Sequence, residues 1–372
     1  MKIGIDARPL MKQRAGIGTY VYNIVKLLND IDKENEYYLF SCREVYIDFE
    51  LGSNWHIVTE SFPVGTLWLA FRGKSLIKRY GIEVFWGTQH VLPWGRNKGT
   101  KYVLTICDLA QFRIPGIGSR YNSVIQKAFV KGSCKRADRI LAISEATKYD
   151  IVDIFGIETS KIVCTYLAGT EKPEKVSEEE IREVKQKFNI TGKYFLYVST
   201  IEPRKNVETI IAGFNSFMDG RGEGSEPYFM VLAGGLGWKY EGVLALIEQS
   251  RYKENIIKTG FISQKEKQCL FEGATAFVYP SLYEGFGIPL LEAMNYGLPI
   301  ITTSVSSLPE VGQDAVMYMN EPKNADSLAE LLQKCSTLTE AEKKAIAGND
   351  EKQRNRFSWD KCARETLRIL TE

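Results

Sequence analysis

Apolar residues along this chain repeat one unit, a short apolar run followed by an amphipathic stretch, in two successive series. In the first series, Lys2–Ala7, Tyr102–Cys107 and Arg139–Ile143 have the length and composition of buried strands. Apolar positions recur at helical spacing between such runs, as in Thr19–Leu28. Strands that alternate with helices in this way indicate a doubly wound α/β domain with a parallel sheet.

A polar and charged segment, Ala168–Glu180, separates the two series and has the composition of an interdomain linker. The second alternation of strands and helices begins at Tyr194 and includes the apolar run Ala276–Tyr279. The tail Ser358–Leu370 again has apolar residues at helical spacing. We therefore predict an N-terminal domain over residues 1–170, a C-terminal domain over 171–357 and a terminal helix over 358–372.

The composition, 372 residues with 44% hydrophobic and 25% charged positions, is typical of a soluble globular protein of two domains. The N-terminal stretch has no long apolar region, and no apolar run approaches the ~20 residues that span a bilayer. We therefore expect neither a signal peptide nor a membrane span. The seven cysteines are scattered and form no Cys-x-x-Cys pair, which predicts reduced thiols, a cytoplasmic protein and no zinc site.

The net charge of +2 hides an uneven distribution. Residues 63–139 contain 14 lysines and arginines and three acidic residues. Such an excess predicts an anionic partner for this part of the surface. Within it, Thr66–Tyr80 has the pattern of a basic amphipathic helix. That helix could lie on an anionic membrane, or it could be an ordinary surface helix with snorkelling lysines.

Candidate functional residues are most concentrated in Tyr279–Pro299, YPSLYEGFGIPLLEAMNYGLP. An apolar strand leads into a loop with Glu284, Gly285 and Gly287, and a helical run follows. This order presents backbone N–H groups at a positive helix end, which suits a phosphate or the polar edge of a sugar. With Glu284 in the loop and Glu292 in the second helical turn, the two carboxylates would contact different parts of one long ligand.

The pattern Glu-x7-Glu within Pro-Ser-x-x-Glu-Gly-Phe-Gly-x-Pro-x-x-Glu-Ala-Met-x-x-Gly-x-Pro resembles the donor-binding motif of the retaining glycosyltransferases of family GT4. The resemblance is strongest over Tyr194–Glu310 and weaker before Lys161. It implies the GT-B fold, in which two Rossmann-like α/β domains face each other across a cleft and a C-terminal helix crosses back to the first domain. It also implies transfer of a sugar from a nucleotide-sugar to a hydroxyl with retained anomeric configuration.

The resemblance assigns the donor sugar and the diphosphate to separate groups. Glu284, with the N–H groups of Gly285, Phe286 and Gly287, would hold the donor sugar, and Glu292 would hold the ribose hydroxyls of the nucleotide. The segment Ser199-Thr-Ile-Glu-Pro-Arg-Lys-Asn206 places two cations side by side. By resemblance, Arg204 and Lys205 would neutralise the leaving nucleoside diphosphate without a bound metal or other cofactor.

Four further residues belong to the implied donor site. Leu291 lies within the motif, and Phe261 follows a strand in Thr259-Gly-Phe261, where the family places a backbone edge against the nucleobase. Gly16 and Gly18 open a helix, an arrangement that lets a backbone approach a phosphate closely. In the family this glycine loop lies against the donor phosphates or the acceptor.

One segment departs from the family pattern. Thr105-Ile-Cys107-Asp108-Leu stands where the family usually has His-Asp. That histidine contacts the donor sugar near its 6-hydroxyl, and its carbonyl lies under the anomeric centre. With Cys107 there, the carbonyl alone suffices, or the donor is a 6-deoxyhexose of rhamnose or fucose type, or the chain is slow or a non-catalytic sugar-nucleotide-binding subunit. Asp108 would bind the acceptor or assist proton transfer, and His90 would either contact the acceptor or have a purely structural role.

From this resemblance we predict a hexosyltransferase of cell-surface polysaccharide synthesis, with GDP-mannose as the favoured donor and UDP-sugars next. The acceptor would be a glycan or a lipid-linked glycan, and no nucleic acid partner is expected. Glu284, Cys107 and Asp108 are the catalytic candidates. The protein would be cytoplasmic or peripheral at the inner face of the cell membrane, which it would contact through residues 63–139. Its oligomeric state is left open.

Overall fold

The computed structural model describes residues 1–12, 16–114, 120–171, 174–222 and 224–372, and the side chains of all of these except 120–126. The chain forms two units, Met1–Leu167 together with Phe357–Glu372, and Ala168–Arg356. The C-terminal helix, Trp359–Thr371, therefore groups with the first unit. Within the described part of the chain, no helix has both the length and the apolar character that crossing a membrane requires.

In the described residues of the first unit, seven parallel strands form one sheet in the order β3-β2-β1-β4-β5-β6-β7. The strands are β1 Lys2–Asp6, β2 Glu36–Ser41, β3 Trp55–Thr59, β4 Val84–Gly87, β5 Lys101–Ile106, β6 Arg139–Ala142 and β7 Ile162–Cys164. The helices are α1 Ile17–Ile31, α2 Gly65–Tyr80, α3 Ala110–Arg113, α4 Arg120–Arg136 and α5 Glu145–Phe155. The short apolar runs become the central strands because a parallel sheet is covered on both faces.

A buried polar contact fixes α1 on the sheet of the first unit. The hydroxyl of Thr105 in β5 lies 3.2 Å from the Tyr20 hydroxyl and accepts a hydrogen bond from the Trp86 indole at 2.9 Å. Tyr20 also packs against Trp359 of the C-terminal helix, with ring centroids 6.5 Å apart. The end of β5, where Cys107 and Asp108 follow, is therefore held rigidly.

The second unit contains six parallel strands in the order β10-β9-β8-β11-β12-β13 over its described residues. They are β8 Lys193–Val198, β9 Tyr228–Ala233, β10 Ile256–Gly260, β11 Ala276–Tyr279, β12 Ile300–Thr302 and β13 Met317–Tyr318. The helices are α6 Glu178–Lys187, α7 Val207–Asp219, α8 Glu241–Gln249, α9 Gln264–Glu272, α10 Ile288–Met294, α11 Leu308–Gly312, α12 Ala325–Ser336 and α13 Glu340–Arg354. The predicted α/β class with two Rossmann-like domains is confirmed.

Candidate functional site

A charged cluster lies where the adjacent strands β8 and β11 of the second unit end. The Lys205 ammonium donates hydrogen bonds to Glu284 Oε1 and to the Tyr279 hydroxyl, each at 2.6 Å. Arg204 Nη1 donates to Glu284 Oε2 at 3.1 Å, and the Tyr279 hydroxyl donates to Oε1 at 2.9 Å. One carboxylate thus binds two cations and a phenol, and the residues of two distant motifs form one site.

The local backbone explains how the two loops meet. After the turn Pro203–Lys205, Asn206 adopts a left-handed conformation with φ 59°, which asparagine tolerates better than most residues. Its side-chain amide donates to the Pro280 carbonyl at 3.0 Å, and Leu282 N–H donates to the Arg204 carbonyl at 2.8 Å. These bonds hold the cation-bearing turn against the loop that carries Glu284.

The loop after Glu284 enters α10 through Gly287, whose φ of 107° favours glycine. A Cβ there would also lie only 3.0 Å from Leu308. The hydroxyl of Ser307 donates to the Glu284 and Phe286 carbonyls at 3.0 and 2.9 Å. The predicted strand, glycine loop and helix are therefore present, and the loop is fixed from the far side by the start of α11.

Burial and charge act against each other at the carboxyl of Glu284, a residue that is 7% exposed as a whole. Burial raises its pKa, but Lys205 and Arg204 outweigh that effect and hold the pKa at about 2. Burial lowers the pKa of Lys205, and the charge of Glu284 raises it. Glu284 is thus an ionised acceptor at neutral pH, placed to bind a hydroxyl or to orient the two cations.

Both cations of the predicted diphosphate clamp have acidic partners. Lys205 is 6% exposed and bound to Glu284, and Arg204 also pairs with Glu202 at 3.0 Å. The sequence motif contains Glu202 but gave no reason to select it. Arg204 retains 20% of its side-chain surface, so it is the cation of the two that a bound anion can reach directly.

Glu292 lies on the second turn of α10, as predicted, and it also has a basic partner. Its Oε1 accepts a hydrogen bond from Lys267 Nζ of α9 at 2.9 Å. Sequence reasoning did not select Lys267 for the site. The capping box of Ser263 and Glu266, which fixes the start of α9, is the signal that could have placed it, since Lys267 follows directly within the first turn.

Phe261 and the glycines of Ala233-Gly-Gly235 lie at the ends of the neighbouring strands β9 and β10. The Phe261 side chain is 91% exposed, and a Cβ on Gly235 would lie 2.4 Å from its ring. A side chain at residue 235 would thus displace the ring, which a flat ligand could cover. The Leu291 side chain is fully buried, so only the backbone of this residue could contact a donor.

In the first unit the structure brings His90, Cys107 and Asp108 together at the ends of β4 and β5. His90 has a left-handed backbone with φ 63°, and its N–H donates to the Thr105 carbonyl at 3.1 Å. Burial lowers the pKa of His90 and the nearby charge of Asp108 raises it. Asp108 is partly exposed, and one of its carboxyl oxygens accepts the Ala110 N–H at 3.1 Å.

Cys107 is buried, whereas Gly16 and Gly18 lie at the start of α1. Cys107 is 7% exposed, and burial, with the charge of Asp108, raises the pKa of its thiol. The raised pKa disfavours the thiolate, which is the reactive form of a cysteine, so this side chain is poorly suited to act as a nucleophile. Gly16 precedes α1 with φ 50° and has open space around its Cα, whereas Gly18 is buried in the first turn.

Two family models match this chain over nearly all of both units. The model described as "Glycosyltransferase Family 4" matches residues 14–167, and "Glycosyl transferases group 1" matches residues 178–352. O-antigen chain mannosyltransferase B of Escherichia coli is 29% identical over 294 residues, 78% of this chain and 74% of that protein. O-antigen chain mannosyltransferase RfbU of Salmonella typhimurium is 26% identical over 82% of this chain and 84% of that protein.

Longer relatives and solved structures are similar as well. Serotype-specific mannosyltransferase WbdA of Escherichia coli is 30% identical over 64% of this chain, but the match spans only 29% of WbdA. Sucrose-phosphate synthase from Thermosynechococcus elongatus superposes with a TM-score of 0.74 at 15% identity, over 99% of this chain and 98% of that one. WaaG, a glycosyltransferase of lipopolysaccharide biosynthesis, gives a TM-score of 0.71 at 16% identity over 100% of both chains. These structures share the GT-B fold with this chain.

Proposed function

We propose, from the premise that this chain belongs to the GT4 family of glycosyltransferases, that it transfers a hexose from a nucleotide-sugar in cell-surface polysaccharide synthesis. GDP-mannose is the favoured donor because mannosyltransferases of O-antigen chains match most of this chain. The acceptor is a hydroxyl of a glycan or a lipid-linked glycan. The observation that carries the proposal is the cluster that Glu284 of the donor motif forms with Lys205 and Arg204.

The cluster suits the departure of a nucleoside diphosphate. As the bond from the anomeric carbon to the phosphate oxygen breaks, negative charge grows on the phosphate, and Arg204 with Lys205 behind it stabilises that charge without a metal. Glu284 keeps Lys205 in place and accepts a hydrogen bond from a sugar hydroxyl. The acceptor oxygen attacks from the same face, and the leaving phosphate takes its proton, so the anomeric configuration is retained.

Glu292 gives the first test, because we propose that its carboxylate binds the ribose hydroxyls of the donor. GDP-mannose at ~100 times its dissociation constant should stabilise the chain by ~2.7 kcal/mol in a thermal-shift screen of nucleotide-sugars. Glu292→Ala should weaken binding at least about tenfold, because hydrogen bonds to a charged group are lost. Glu254→Ala, which removes an exposed carboxylate of the same unit, should bind like the parent. Equal affinity in both variants would contradict the role of Glu292.

Transfer itself is measured as nucleoside-diphosphate release with and without an acceptor glycan. Acceptor-dependent release that disappears in Glu284→Ala supports the proposed reaction. Tight donor binding with no release across all donors and acceptors would instead indicate a sugar-nucleotide-binding subunit.

Cys107 raises a second candidate, a 6-deoxyhexose donor of rhamnose or fucose type. A thiol that is 7% exposed is less polar than imidazole and would suit a methyl group in place of a 6-hydroxyl. We favour the hexose reading, in which the carbonyl of residue 107 acts and its side chain is tolerated. Cys107→Ala keeps that carbonyl and should leave kcat/KM with GDP-mannose within about threefold of the parent. A loss above about a hundredfold would show that the thiol itself is needed, and higher activity of the parent with a GDP-6-deoxyhexose than with GDP-mannose would favour the second candidate.

We also propose a place for this reaction. A lipid-linked acceptor would lie at the inner face of the cell membrane. The excess of lysine and arginine in residues 63–139 would let the chain bind the anionic membrane surface there.

A further inference from the structure

The carboxylate of Glu292 has a basic partner that the proposed function does not use. Lys267 Nζ donates to Glu292 Oε1 at 2.9 Å, and this is the one ion pair of Glu292 in the described part of the chain. Glu292 Oε2 accepts no hydrogen bond from the described residues, and it is not among their buried side-chain atoms without a partner. One oxygen of this carboxylate is therefore bound by the protein, and the other is open to a ligand.

The side chains of α9 meet those of α10 in two successive turns. Lys267 and Phe271 lie four residues apart on one face of α9, and Tyr296 follows Glu292 by four residues in the turn that ends α10. The Phe271 and Tyr296 rings stack with centroids 5.0 Å apart and planes 8° apart. Phe271 is fully buried and also packs against Phe277 of β11 at 5.3 Å. This packing fixes the position of Lys267 relative to Glu292.

Lys267 also follows closely on the residue predicted to border the nucleobase. Strand β10 leads to Phe261, and the capping box of Ser263 and Glu266 then begins α9. Lys267 N–H donates to the Ser263 carbonyl at 2.9 Å. The first turn of α9 therefore connects the predicted base site to Glu292, the carboxylate predicted to bind ribose.

We propose that Lys267 is a positioning residue, which holds the Glu292 carboxylate in the orientation that binds the 2′- and 3′-hydroxyls of the donor ribose. The inference rests on the proposed binding of ribose by Glu292. A flexible carboxylate loses rotamer freedom when it binds a ligand, and that loss weakens binding. Lys267 orders the carboxylate before the donor arrives. In this role the ammonium contacts neither the phosphates nor the base, so its effect is confined to the ribose diol.

The test measures by calorimetry the binding of GDP, of UDP and of the 2′,3′-dideoxy form of each, because the ribose diol is common to donors with either base. The parent should bind the preferred nucleotide about a hundredfold more tightly than its dideoxy form, since both hydroxyls bond to a charged group. Lys267→Met keeps most of the aliphatic stem without the charge. It should reduce this preference to about tenfold and leave binding of the dideoxy nucleotide unchanged, which also shows that the variant is folded.

Three further variants serve as controls. Lys267→Arg keeps a cation and should keep the preference of the parent. Lys265→Met removes an exposed lysine of the same helix, which pairs with Glu180 at 2.7 Å, and should bind every nucleotide like the parent. Glu292→Ala already lacks the carboxylate, so adding Lys267→Met to it should not change the preference further.

Transfer kinetics give a second readout. Lys267→Met should raise the KM for the nucleotide-sugar about tenfold and leave kcat unchanged, because the ribose is held equally in the ground state and the transition state. A lower kcat with an unchanged KM would overturn the inference.

The binding data distinguish the other roles that Lys267 can have. An unchanged diol preference in Lys267→Met would show that Lys267 only stabilises the packing of α9 on α10. Equal weakening of a nucleotide and its dideoxy form would show that Lys267 contacts a phosphate or the base. A larger diol preference would show that Lys267 competes with ribose for Glu292. A parent without any diol preference would instead contradict the ribose role of Glu292 itself, so the proposed function and this inference fail in different ways.

Discussion

Replacing Lys205 by methionine should destabilise the chain by about 3 to 5 kcal/mol, because it leaves a buried carboxylate without its main partner. Glu284 would keep only the contact with Arg204 among the cations described for it. Glu284→Gln should also destabilise, since it leaves the Lys205 ammonium in the same buried place. The double variant removes both charges. Its loss of unfolding free energy should be smaller than the sum of the two single losses by at least about 2 kcal/mol.

The ion pair of Lys267 and Glu292 provides a matched control in the same unit. Its side chains are 19% and 14% exposed, against 7% and 9% for Lys205 and Glu284. Solvent screens the more exposed pair, so its coupling energy should stay below about 1 kcal/mol. Thermal and urea unfolding of both sets of variants measure the two coupling energies. Equal values would show that burial does not strengthen the Lys205–Glu284 pair.

The same variants separate stability from chemistry. We expect transfer to fall about a thousandfold in Lys205→Met and to stay low in the double variant, because recovered stability does not restore the lost positive charge. Nucleoside-diphosphate release measures this, at a temperature where the variants are folded. Recovery of transfer together with stability would assign the cluster a purely structural role.

The elements of the fold could be predicted well from the sequence because the spacing of apolar residues, and the residues that begin or end helices and strands, are local signals. Ala276–Tyr279 has the predicted bounds, and the helix predicted over Ser358–Leu370 runs over Trp359–Thr371. Most other elements differ from the prediction by one to three residues, since helix ends depend on capping detail. Helix α12 and helix α13 were not predicted, although Thr339 and Glu342 form a capping box at the start of α13.

The partners within the site could not be predicted in the same way. The contact of Lys205 with Glu284 joins residues 79 positions apart, and it exists because β8 and β11 are neighbours in the sheet. Sequence spacing carries no information about that neighbourhood. The paired state of Arg204, the burial of Leu291 and the left-handed backbone of His90 depend on the same non-local packing.

Asp350 is a buried carboxyl that no sequence pattern distinguishes from its exposed neighbours on α13. It is fully buried, and neither of its oxygens has a hydrogen-bond partner among the described residues. Burial raises its pKa to about 8, whereas an unfolded aspartate titrates near ~3.9. The folded state therefore holds one more proton than the unfolded state between these values, and stability must fall as pH rises through that window.

Asp350→Asn should remove this dependence, because the amide has a similar shape and does not titrate. We expect the free energy of unfolding of the parent to fall relative to that of Asp350→Asn by about 4 kcal/mol between about pH 5 and pH 8, at about 1.4 kcal/mol per unit. All other titrations cancel in this difference between two chains. Glu351→Gln, at an exposed neighbour, should follow the parent at every pH. Parallel curves for the parent and Asp350→Asn would mean that Asp350 is ionised in the folded state and has a partner there, since an unpartnered buried carboxylate could not keep an ordinary pKa.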